Sequence, residues 1–139
     1  MDEIKKSLTY QFEKIHLKLI APLQKALHPL GITEKNFFVM QLINANPGIS
    51  QNGLAEILMR DKTLVRQVVD KLEDKQLAQR TPVKNDRRVY ALYLTEEGKK
   101  MVEGYKHITK DSESALLASL NTEDEATLRR VLYQLMEQL

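Results

Sequence analysis

Between residues 50 and 88 the chain collects side chains suited to hydrogen bonding with nucleic acid. In KTLVRQ, residues Lys62, Thr63, Leu64, Arg66 and Gln67 fall on the first turns of a stretch that reads as a helix. Arg and Lys match guanine O6 and N7, Gln matches adenine, and a Thr methyl or a Leu meets the methyl of thymine. Upstream, Ser50, Gln51 and Asn52 open another helix, where unpaired backbone N–H groups and small polar side chains suit a phosphate. Arg60 and Lys71 are further phosphate candidates. Downstream, KNDRR sets Lys84, Asn85, Asp86, Arg87 and Arg88 at the tip of a hairpin. A narrow minor groove concentrates negative potential, and an arginine on a thin hairpin reaches into it. Asp86 fits beside phosphate if it orients one of the two arginines through a bidentate, charge-assisted bond. The bland reading of these positions is a solvated helix face, with Ser50 as a plain N-cap and the turn as an exposed ion pair of little energetic worth.

Bond-making chemistry finds no comparable constellation. No nucleophile and base pair, glycine-rich phosphate loop or carboxylate cluster of ligand spacing stands out, so an enzyme is not expected. Cysteine is absent. The three histidines, His16, His28 and His107, lack ligand spacing, so neither a metal nor another cofactor is expected. The charged N-terminus has no signal-peptide core and no run reaches the ~20 apolar residues of a membrane span, which points to the cytoplasm and away from a membrane. The net charge of the 139 residues is only +2, but it is unevenly placed. Residues 60–88 carry nine Lys/Arg against five Asp/Glu, and residues 89–139 carry six against nine. A local anionic partner fits that distribution better than a uniformly basic coat would.

The elements that must position these side chains follow from periodicity. Ile4, Leu8, Phe12 (or Gln11), Ile15, Leu19 and Leu23 recur at steps of three and four, predicting an opening helix of about 25 residues, roughly 37 Å long, with a kink or stop at Pro22. Thr33 caps a second helix that NPG ends. Ser50 caps a third, whose Leu54, Ile57 and Leu58 form an apolar face, and Asp61 caps a fourth with Val65, Val68, Val69 and Leu72 inward. Only about three residues separate these last two, which is helix-turn-helix spacing. The period then changes to two, predicting a two-stranded hairpin with Pro82 on an edge. Thr95 caps a long helix, and a capping box from Thr122 to Glu125 opens the last one.

The expected fold is therefore mainly α with a small β-hairpin wing: a winged helix-turn-helix, residues 32–98, flanked by helical regions, 1–31 and 99–139, within a single domain. Apolar stripes on terminal helices without a local partner imply a homodimer. The run from Leu54 to Gly98, with LAEIL, VVDKLEDKQLAQR, the NDRR wing and LTEEG, resembles the MarR (multiple antibiotic resistance regulator) family. That resemblance implies a homodimer joined through its first and last helices, a winged domain that reads palindromic double-stranded DNA, and usually repression released by a small-molecule effector. It also implies an effector pocket, for which His16, Phe37 and Phe38 are weak candidates. In the family the aspartate and arginine of the wing act together, and the doubled arginine leaves open which one enters the groove. Two positions depart from the family pattern: Met59 stands where many relatives carry glycine, and Asp61 where they usually carry serine. The competing function is a winged-helix protein-interaction or assembly module without specific DNA binding; another is a DNA-binding regulator with no ligand.

Overall fold

The computed structural model describes residues 1–139, apart from the side chain of Arg87. In chain order the elements are α1 (Asp2–Lys6), α2 (Leu8–Leu27), a 3-10 turn (His28–Leu30), α3 (Glu34–Ala45), β1 (Ile49–Ser50), α4 (Gln51–Leu58), α5 (Lys62–Asp74), β2 (Ala78–Val83), β3 (Asp86–Leu94), α6 (Glu96–Leu117) and α7 (Thr122–Met136). They form two compact units, Met1–Pro22 with His107–Leu139, and Leu23–Lys106.

Helix starts follow from side-chain acceptors. Thr33 Oγ1 accepts from the Asn36 N–H and Asn36 Oδ1 from the Thr33 N–H, each at 3.1 Å. This reciprocal box explains how Asn36 can be a buried polar residue of the core. Ser50 and Asp61 cap α4 and α5. The start of α7 differs from expectation: the cap is Asn121, whose Oδ1 accepts from the Asp124 N–H at 2.7 Å, one residue before the expected box. Asparagine caps at least as well as threonine, so the earlier residue wins. The opening helix is also divided, because the chain is extended at Ser7 (φ −67°, ψ 131°) between α1 and α2. Pro22 does not stop α2, which continues to Leu27. The proline lacks one N–H, but burial of Leu23 and Leu27 beyond it supports the last turns.

The sheet has three antiparallel strands in the order β1-β3-β2. A third strand joins the expected hairpin because Ile49 and Ser50 pair with Leu92 and Ala91 of β3. Pro82 lies on the edge strand β2, where its missing donor does no harm, next to a register shift at Val83. The turn itself is only Lys84 and Asn85; Asp86, expected in the loop, already pairs with Val83.

In the Leu23–Lys106 unit, Leu27, Phe37, Met40, Ile43, Leu54, Val65, Val69, Leu72 and Leu92 are fully buried. Ala55 replaces the expected Ile57 inside, since the eight-residue α4 turns Ile57 to solvent. Val68 is half-buried. The LTEEG exit has a specific use here. Thr95 Oγ1 accepts the Gly98 N–H at 3.1 Å and donates to the Gln76 carbonyl at 2.7 Å, while the Thr95 N–H reaches the Leu77 carbonyl at 3.0 Å. A Cβ at Gly98 would lie 2.1 Å from that same Leu77 oxygen, so only glycine lets α6 begin against the chain leaving α5.

The other unit is built differently. Ser112 Oγ donates to the Leu19 carbonyl at 2.7 Å, and Arg129 bridges Glu125 at 3.3 Å and Glu113 at 3.8 Å. No described residue in it is fully buried, while Ile4, Leu8, Phe12, Ile15, Leu128, Val131, Leu135 and Met136 are exposed.

Gly98→Ala is expected to lower stability by about 1–3 kcal/mol, because backbone must move to admit the methyl group. Urea unfolding measures this, and an unchanged midpoint would refute the close-packing role.

Candidate nucleic-acid interface

The interface candidates begin at α4. Ser50 Oγ accepts the Gly53 N–H at 2.9 Å, which fixes the first turn. Asn52 is exposed there, and Gln51 is half-buried. The helix ends at Met59, which is left-handed at φ 52° and ψ 43°, with the Arg60 N–H closing onto the Ala55 carbonyl at 3.1 Å. Glycine is the residue that adopts this geometry without strain. The departure at Met59 therefore leaves the turn intact and places the backbone strain at a residue that is 71% exposed.

Asp61 opens α5 by accepting the Thr63 N–H at 2.6 Å. That backbone bond first, then the Thr63 hydroxyl, holds its carboxyl below the ordinary aspartate range. The cap is thus an anion, which suits a helix N-terminus but opposes close approach of a phosphate. From this cap, α5 separates its faces sharply. Val65, Val69 and Leu72 are buried, while Lys62, Thr63, Leu64, Arg66, Gln67 and Lys71 are exposed, as is Arg60 in the turn before. Leu64 is 50% exposed between Lys62, Thr63, Arg66 and Gln67. An apolar contact point set among hydrogen-bond donors is what a base edge carrying a methyl group requires.

The wing presents Lys84, Asn85, Asp86 and Arg88 to solvent. Asp86 Oδ1 accepts the backbone N–H of Arg88 at 2.9 Å. This bond closes a local main-chain turn at the start of β3; the expected bond from Asp86 to an arginine side chain falls in part on Arg87. The Arg87 side chain lies outside the described residues.

Arg80 was not singled out by its sequence, yet its guanidinium and main chain bond to Gln51, Asp70 and Glu73. Two signals bear on it: Asp70 and Glu73 are three apart on one helix, and Arg80 has the same strand parity as buried Ala78.

The effector candidates divide. Phe37 is fully buried, with its ring 6.3 Å from that of Tyr105 and 29° from parallel, so it is core and offers no open wall. Phe38 and His16 are exposed, and they belong to different units. No helix among the described residues is long and apolar enough to cross a membrane.

Comparison with known proteins places this geometry among relatives. The family model for MarR matches residues 32–90. The HTH-type transcriptional regulator YybA of Bacillus subtilis is 26% identical over 79% of this chain and 73% of its own length. A putative transcriptional regulatory protein for the hcr operon of Thauera aromatica is 31% identical over 78% of this chain and 65% of its own. Among solved structures, a mutant MarR from E. coli complexed with operator DNA superimposes with a TM-score of 0.81 at 26% identity, over 92% of both chains.

The depressed pKa of Asp61 fixes the sign of a pH effect. Its capping contribution is complete above the ordinary aspartate value, about 3.9, and is lost as pH falls through the lower folded value. Amide exchange at Thr63 and Leu64, corrected for intrinsic rates, is expected to accelerate over that window, whereas Asp61→Asn removes the step. Identical profiles for the two proteins would contradict the cap's charged state.

Proposed function

Because this chain belongs to the MarR family, we propose that it is a sequence-specific, DNA-binding transcriptional regulator that acts as a homodimeric repressor on palindromic operators. The observation that carries this reading is the two-faced α5, apolar inward and lined outward by Lys62, Thr63, Leu64, Arg66 and Gln67. In the major groove, Lys62 and Arg66 have donors for guanine, Gln67 suits adenine, and Leu64 or the Thr63 methyl suits thymine. Ser50, Gln51, Asn52, Arg60 and Lys71 take phosphates, and these contacts set the register. Lys84 and Asn85 follow the backbone at the wing while Arg87 or Arg88 enters the minor groove, where narrow A/T-rich tracts concentrate negative potential. Asp86 serves this arrangement by shaping the turn through the Arg88 N–H.

Homodimerisation is supported by the unit that lacks fully buried residues. Its exposed Ile4, Leu8, Phe12, Ile15, Leu128, Val131, Leu135 and Met136 are the size and kind of side chains that a second copy would cover. A twofold dimer would then present two α5 helices to successive major grooves about 34 Å apart. A small-molecule effector that releases the repressor would have to be met by side chains other than Phe37.

Salt titration tests the reading against that of an interaction module. Phosphate contacts make log affinity fall with log salt at about 0.9 per contact, so a steep slope on duplex DNA is expected. Absence of duplex binding at low salt in any sequence pool would end the regulator reading. For the wing, Arg87→Ala or Arg88→Ala is expected to weaken binding most at A/T-rich flanks while the dimer persists; unchanged binding by both would remove the wing from the interface. The double variant Val131→Glu with Leu135→Glu is expected to sediment as a monomer and to bind a palindromic site roughly a hundredfold less tightly. A dimer of undiminished affinity would place the subunit contact elsewhere.

A further inference from the structure

Arg80 stands opposite Leu92 in the β2–β3 ladder, and Leu92 is fully buried. Paired residues of antiparallel strands present their side chains to the same face. The Arg80 stem is accordingly directed inward, and its side chain is only 15% exposed although it carries a full charge. Its fork then reaches two other elements. Nη2 donates to Asp70 Oδ1 at 2.5 Å and Nη1 to Glu73 Oε1 at 3.1 Å, both on α5. Nε donates to Gln51 Oε1 at 2.8 Å, on the first turn of α4. The second Glu73 oxygen accepts the main-chain N–H of Arg80 at 3.2 Å, so the helix grips the strand as well as its side chain.

Resting on the DNA-binding reading above, we infer that Arg80 is a positioning residue for that interface, binding no DNA itself. It locks both helices of the helix-turn-helix to the wing strand, so the angle between α5 and the wing is set by one guanidinium. It also offsets Asp70 and Glu73, two carboxylates on the helix proposed to approach phosphate. Its third effect concerns Gln51. A guanidinium only donates, so the Gln51 amide must turn its oxygen to Arg80, leaving the NH₂ group as the part available to a phosphate. Lysine cannot reproduce this, since an ammonium is a point charge without a planar fork to reach three acceptors.

The test uses the full chain and a duplex that the wild-type protein enriches from a random pool, with a random-sequence duplex of equal length as the second probe. Affinities for both are measured across a salt series for wild type, Arg80→Lys and Arg80→Met, with thermal unfolding of each. Arg80→Lys is expected to bind the enriched duplex about tenfold more weakly, within the usual range of network coupling. Its random-duplex affinity should stay within about twofold, with an unchanged salt slope, because no cation is withdrawn from a phosphate. Arg80→Met should lose both, since it bares Asp70 and Glu73; if it fails to fold, the Lys comparison decides alone. Wild-type affinity of Arg80→Lys for the enriched duplex would overturn the inference. So would equal weakening on both duplexes with the slope reduced by about 0.9, which would mark Arg80 as a phosphate contact. A wild-type protein that enriches no duplex would instead overturn the DNA-binding reading itself.

Discussion

The buried stripe of α5 is the constraint from which the interface follows. Val65, Val69 and Leu72 are enclosed within the Leu23–Lys106 unit, where α5 packs with α3, α4 and β2. Each such side chain contributes roughly 1.5–3 kcal/mol by leaving water. Rotating the helix by one residue, about 100°, would expose that stripe and bury Arg66 or Lys62 in its place. The outward direction of Lys62, Thr63, Leu64, Arg66 and Gln67 is thus imposed by what lies beneath them. Outward side chains on a helix so held need little ordering when a partner arrives, which is the physical advantage of carrying them on a packed element.

Charge placement follows the same logic at shorter range. The basic segment holds nine cations, but they are not equivalent. Arg80 is committed to Asp70 and Glu73, whereas Arg60, Lys62, Arg66, Lys71 and Arg88 remain exposed. A count of charges along the chain cannot separate these two classes; pairing geometry does. Asp61 and Asp86 show the complementary case. Each acidic side chain sits among cations and is occupied by a backbone N–H two residues on, at Thr63 and Arg88 respectively. Both therefore act on chain conformation through the main chain.

The two units stand in unequal positions energetically. One closes a core around Phe37, Met40, Leu54 and Leu92, with Thr33, Ser50, Asp61 and Thr95 securing the helix starts. The other arranges its helices through contacts such as Ser112 with Leu19 and Arg129 with Glu113, yet encloses no residue fully. A single copy of that unit is short of buried apolar area, which is the ordinary physical reason for a second copy. On the proposed reading, binding to DNA and association of subunits fall to different parts of one small chain.

Much of this was legible in the residues alone. Helix stripes, the caps at Thr33, Ser50, Asp61 and Thr95, the switch from period 3.6 to period 2 and the LTEEG exit are local signals, and local hydrogen bonds or alternation produce them directly. The misplaced features were those in which near-equal local options compete: Asn121 against Thr122 as a cap, Ala55 against Ile57 as the inward residue, helix against extended chain at Ser7. Only the tertiary structure decided the rest. The third strand at Ile49 needs β3, some forty residues away, to supply its partners. Phe37 became core because Tyr105 lies on it, and Gly98 became indispensable because the Leu77 carbonyl fills the space a methyl would occupy. Arg80 joins Gln51, Asp70 and Glu73 for the same reason. These contacts link residues that share no local pattern, so the sequence determined which helices and strands form, and three-dimensional packing determined which side chains they bring together.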